Sequence, residues 1–217
     1  LRKDLESVVG KHKHIIELTH AKVVKISNEL SLLSFQFGIA FADSILSINV
    51  SGNNILNMND SKIFPLSESH LLNLVPKPNY VLRSHSSAND RCCFRNQNGN
   101  KLNEFDKTRL QYSEEFFDSC YSTGADFAIP FASNMACLHR ETFQYNSILN
   151  FSDYVYNDFQ KISDKYPGME CKLLFPSEKI LLESDKHIIN ESLRKRISQK
   201  SRLELLSDYQ KSKKDIL

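Results

Sequence analysis

ADSILSINVSGNNILNMND, residues 42–60, holds two runs of β-forming residues on either side of Ser51-Gly52-Asn53-Asn54. Ile45, Leu46, Ile48 and Val50 alternate loosely in the first run. Two such runs across a Gly-Asn turn predict a β-hairpin. The second run ends at Asp60. A carboxylate directly after a buried strand stands at the sheet edge, where loops build sites, and it can bind a metal or orient a base. It can equally cap a turn through its side-chain oxygen.

Upstream of the hairpin, HIIEL and KVVKI within residues 14–26 predict two strands joined by a turn near His20. LSLLSFQF, residues 30–37, predicts another strand. Downstream the character changes. SESHLLNLV, residues 67–75, predicts a short helix with Ser67 as N-cap, stopped by Pro76 and Pro78. NYVLRSH, residues 79–85, predicts a buried strand, and residues 86–103 a polar loop, longer than a compact domain usually tolerates without a function. EFDKTRLQYSEEFFDSCYS, residues 104–122, is an amphipathic helix by pattern; Phe105, Leu110, Tyr112, Phe116, Phe117 and Cys120 form its apolar side, and Gly124 fits the C′ position. ADFAIPFA, residues 125–132, predicts a strand running into a loop. Residues 153–164 predict a helix, Pro167-Gly168 a turn, CKLLF at 171–175 a last strand, and 186–213 one or two polar helices. A β-rich first third followed by β-α-β alternation predicts a layered α/β fold.

The bulk properties agree with a globular domain. The chain has 217 residues, 41% hydrophobic and 25% charged, which suits one domain or one and a half. Its net charge of +2 gives no electrostatic case for a nucleic-acid partner. Arg194, Lys195, Arg196, Lys200 and Arg202 cluster near the C-terminus, but Glu191, Glu204 and Asp208 interleave with them, the pattern of a solvated helix face. No apolar run of membrane-spanning length and no signal peptide are expected. The five scattered cysteines, with no C-x-x-C pair, make a reducing cytoplasm the simplest expected location. The opening Leu, in place of Met, suggests a start inside a longer protein.

Chemistry-bearing residues gather in two further stretches. SHSSANDRCCFRN, residues 84–96, follows a predicted strand; His85 and Arg91 are candidates to contact an anionic substrate, because the arginine fork suits phosphate or carboxylate. Cys92 or Cys93 would be a nucleophile if a neighbouring base lowered its pKa, and an inert thiol otherwise. In IPFASNMACLHRETFQYN, residues 129–146, small residues after a strand let the backbone turn tightly, and Asn134, His139 and Asn146 offer polar groups at the same sheet edge. The alternative there is a helix-capping loop with an exposed histidine. His12, His14 and His20 form a loose cluster that reads as surface, with no acid at a fitting spacing for zinc. The chain contains no P-loop, G-x-G-x-x-G, G-x-S-x-G or H-E-x-x-H motif.

Taken in order, ADSILSINVSGNNILNMND, NYVLRSHSSANDRCCF and DFAIPFASNMACLH with YPGMECKL resemble the C-terminal half of metallo-β-lactamase-fold proteins. The branch they resemble contains CMP-N-acetylneuraminate hydroxylase and, more distantly, the ascorbate-6-phosphate lactonase type. The resemblance covers roughly residues 14–175. It implies part of a four-layer αββα sandwich over residues 1–180 and a helical tail over 181–217. It implies a divalent metal (zinc, iron or manganese) with Asp60 as a ligand and His139 as a second candidate. It implies a hydrolase acting through metal-activated water, and a role in carbohydrate metabolism. His85, Arg91, Asn134 and Asn146 would then orient a small anionic, sugar-like substrate. The chain departs from the family pattern: it lacks H-x-H-x-D-H, has no histidine around Phe35–Phe41, carries Ser61 where the family often has Cys, and has Asn134 where lactonase-type members place their last metal-binding His. Either upstream sequence supplies the histidines, or the chain is a non-catalytic binding module that keeps the fold; a generic α/β domain is the third reading. A half-sandwich would expose an apolar sheet face, with Phe35, Phe37 and Phe41 as candidates, covered by the missing half or by a second copy.

Overall fold

The computed structural model describes residues 16–36, 44–61, 63, 65–86, 108–132 and 135–213. Among the described residues seven strands form one sheet in sequence order: β1 (Val23–Lys25), β2 (Leu30–Gln36), β3 (Ser44–Val50), β4 (Asn53–Asn59), β5 (Tyr80–Arg83), β6 (Phe127–Pro130) and β7 (Glu170–Cys171). The first four strands are antiparallel, and β4 to β7 are parallel. The predicted hairpin is β3–β4. Its turn residues Ser51 and Gly52 both have positive φ, 49° and 86°, the tight turn whose twist matches the flanking strands.

Parallel strands need crossovers, and three helices supply them: α1 (Pro65–Leu74), α2 (Arg109–Ser122) and α3 (Ser152–Ile162). All three cover one face. Leu33, Ser47, Leu56, Val81, Ala128 and Cys171 stand in register from β2 to β7, and every one is buried. Against them pack Leu71, Phe116, Phe117, Cys120, Val155 and Phe159 from the helices. The opposite face carries Leu32, Ile48, Ile55, Tyr80 and Phe127 in register; Tyr80 is buried and the other four are half-buried. Two helices end the described chain, α4 (Glu191–Ser198) and α5 (Arg202–Ser212), after a small hairpin of β8 (Lys179–Leu181) and β9 (Lys186–Ile188). Among the described residues no helix is long and apolar enough to cross a membrane.

Several elements differ from the sequence expectation. Ile16–Leu18 form no strand; His20 alone bridges to Ser34, and its Nδ1 accepts from the Gln36 N–H at 2.9 Å. Ser67 is not the N-cap of α1, which begins two residues earlier at Pro65, where the fixed φ suits a first helical position and the missing N–H has no partner to lose. The amphipathic helix α2 begins only after Thr108, which caps it: Thr108 Oγ1 accepts from Gln111 N, and Gln111 Oε1 accepts from Thr108 N. CKLLF keeps strand pairing only at Cys171 and is not the last strand, because Phe175 turns away to donate its N–H to Glu178. Residues 186–188 pair in β9, so the polar tail becomes helical only from Glu191, capped by Asn190. Phe35 is not a surface residue: it is 2% exposed and lies between the His20 and His70 rings. Phe37 and Phe41 lie outside the described residues.

Candidate functional site

In an open parallel sheet, ligands bind beyond the carboxyl ends of the strands. Here β4, β5 and β6 end side by side, tied by Ser84 N to Asn59 O at 2.6 Å and Phe131 N to Arg83 O at 2.8 Å. Asp60 follows β4 directly. The pairing of β4 with β5 slips between Asn57 and Asn59, and Asn59 adopts φ 51°. Asn tolerates this left-handed conformation, and the Asn57 side chain supports it by accepting from Asn59 N at 3.1 Å. Such bulges re-aim side chains next to sites. Asp60 is exposed, and among the described residues its carboxylate has no hydrogen bond or ion pair.

Arg83 ends β5 and reaches across: its Nη1 donates to Ser61 O at 3.2 Å and lies 3.9 Å from Met58 Sδ. Ser61 is 2% exposed, with its hydroxyl buried and unpartnered among the described residues. Sequence reasoning did not single out Arg83; an arginine two residues beyond the buried Val81, on the same strand face, was the available signal.

His85 is 2% exposed, and its ring packs edge-on against Phe116 at 6.4 Å. Its backbone carbonyl accepts from Asn150 Nδ2 at 3.1 Å; the same amide donates to Ser113 Oγ, which donates to Asp158 Oδ2 at 2.9 Å. This buried polar chain fixes the end of β5 against α2 and α3. Burial pushes the His85 imidazole down from 6.5 to about 4, against the opposing pull of the Phe131 and Asn150 backbone and the Asp153 charge. Between pH 6.5 and 4 the unfolded chain binds the proton and the folded chain does not. Stability is therefore expected to fall by about 3 kcal/mol as pH drops through that window. Urea midpoints measured from pH 7 to 4 for the wild type and His85→Gln check this; parallel curves would place the pH dependence elsewhere.

The other expected site residues divide. Asn146 is buried, and its side chain is committed to the backbone: Oδ1 accepts from Cys137 N at 2.8 Å, while Nδ2 donates to Cys137 O and Phe143 O. It holds the 137–146 loop shut. His139 is exposed; its Nδ1 accepts from Glu141 N at 3.3 Å, and its carbonyl accepts from Thr142 and Phe143. Arg91, Cys92, Cys93 and Asn134 lie outside the described residues. Of the remaining cysteines, Cys120 and Cys171 are buried, and burial pushes the Cys120 thiol up to about 12, the opposite of an activated nucleophile. Among the described residues no group of three or more His, Cys, Asp or Glu side chains is placed to hold a metal.

No family model and no curated protein matches the chain. Among solved structures it is similar to a mutant form of CmlA β-hydroxylase, with a TM-score of 0.49 and 11% identity over 79% of this chain. The match spans 34% of that protein, so the chain corresponds to about a third of its length.

Proposed function

We propose that the chain is the C-terminal portion of a metal-dependent, hydrolase-like protein acting on a small anionic, sugar-like substrate. The observation that carries this reading is Asp60, an exposed carboxylate without a partner among the described residues, set by a bulge at the C-terminal end of β4 beside the end of β5. A divalent ion bound there would supply activated water. One carboxylate does not hold such an ion against water, so the remaining ligands come from outside the described residues. Arg91 and Asn134, which follow β5 and β6 in the sequence, are proposed to orient the anionic group.

Elemental analysis of this chain, and of the protein made from the complete coding sequence, tests the proposal. Near-stoichiometric zinc, iron or manganese is expected where the ligand set is complete, with Asp60→Ala weakening binding about tenfold or more. Metal in neither protein would overturn the hydrolase reading. It would leave the second one, a binding module that keeps the fold, which is favoured by the commitment of the Asn146 amide to its own loop.

A further inference from the structure

A cavity of about 530 Å³ lies beyond the C-terminal ends of β6 and β7, between α4, α5 and the start of α3. Phe151, Leu174, Leu193, Ile197, Leu205 and Leu206 make its wall apolar. Its size falls within the usual range for small-molecule pockets. Two cations, Arg196 and Arg202, also line it. Arg202 Nη2 donates to Asp153 at 2.7 Å, and its guanidinium sits 5.3 Å from the centre of the Phe151 ring. Its Nε is buried and has no acceptor among the described residues. Arg196 is exposed and has no ion-pair partner among them. The apolar cavity is thus lined by two guanidinium groups, of which Arg202 alone is paired with a carboxylate, and the buried Arg202 Nε has no acceptor among the described residues. A buried unsatisfied donor is costly, and an incoming acceptor relieves it.

We propose that this cavity binds an aliphatic carboxylate, with the hydrocarbon body against the leucines and the carboxylate on Arg202 and Arg196. A planar carboxylate matches the arginine fork, and a carbon chain removes apolar wall from water. The Gln210 side chain on α5 donates from Nε2 to Leu138 O, tying α5 to the segment that follows β6. The site uses neither Asp60 nor a metal, and it stands whether or not the hydrolase reading does.

The test is calorimetric titration and thermal melting of the whole chain with octanoate, octanol and acetate. Octanoate is expected to bind one molecule per chain saturably and to raise the melting temperature. Octanol should bind about tenfold more weakly, and acetate not measurably. Arg196→Gln, an exposed change, should weaken octanoate about fivefold, and Leu205→Trp, which fills the cavity, should abolish binding while the melt stays cooperative. Arg202→Lys keeps the charge toward Asp153 but removes Nε, and should also weaken octanoate. Octanol binding as tightly as octanoate, no saturable octanoate binding, or unchanged affinity in both Arg196→Gln and Leu205→Trp would each overturn the proposal.

Discussion

Replacing Glu178 with alanine is expected to destabilise the protein by about 3–5 kcal/mol, the cost of stranding the partner of a buried ion pair. Its side chain is fully buried. The carboxylate accepts from Phe175 N at 2.9 Å, from Asn190 N at 3.1 Å, and from Arg194 Nε and Nη2 at 2.7 and 2.8 Å; His187 Nε2 lies 3.3 Å away. One side chain therefore joins the exit from β7, the β8–β9 hairpin and the first turn of α4. Its loss strands two backbone N–H groups and the Arg194 guanidinium, which also donates to Leu173 O. The arginine fork, aided by the two backbone donors, holds the carboxyl down from 4.5 to about 2. The stability this provides is present above pH 4.5 and is lost as pH falls toward 2. Urea unfolding at pH 7 gives the loss. Glu178→Gln keeps the shape and should fall between wild type and alanine. A loss below about 1 kcal/mol for the alanine variant would show that the pair contributes little beyond its desolvation cost.

The second large effect is expected at Phe117, where alanine should cost about 3–5 kcal/mol. Phe117 is 0% exposed. Its ring meets Phe116 at 4.9 Å, Phe159 at 4.9 Å and Tyr166 at 5.7 Å. The substitution opens a cavity where α2, α3 and the turn after α3 converge, and those rings are too tightly interlocked to collapse into it. Leucine retains most of the volume and should cost well under half as much. Calorimetric melts of the two variants check the ordering. Equal losses would mean that burial area, not ring packing, governs the site.

The sequence by itself determined the strands and helices whose instructions are local. The 44–59 hairpin was legible from two β-rich runs across a Gly-Asn signal, although the turn itself falls one residue earlier, at Ser51-Gly52; the 109–122 helix was legible because its apolar residues recur on one face and end at Gly124. The α/β alternation followed from the order of those elements. Asp60 was legible as an edge carboxylate because it directly follows a strand. Short pairings were decided only by the tertiary structure. CKLLF lost most of its strand because Phe175 N found a better acceptor in a buried carboxylate, and KHI became strand by pairing with Lys179–Leu181. Burial was decided there as well. Phe35, by sequence a candidate for an exposed sheet face, is buried where α1 brings His70 against it, and His85, a candidate substrate contact, is buried where α2 sets Phe116 edge-on against its ring. The commitment of the Asn146 amide to Cys137, nine residues away, and the cavity between Arg196 and Arg202 depend on loop closure and helix docking. Periodicity along a chain records which faces are apolar. It does not record which neighbour arrives to cover them, or which polar group is left without a partner once the neighbours have packed.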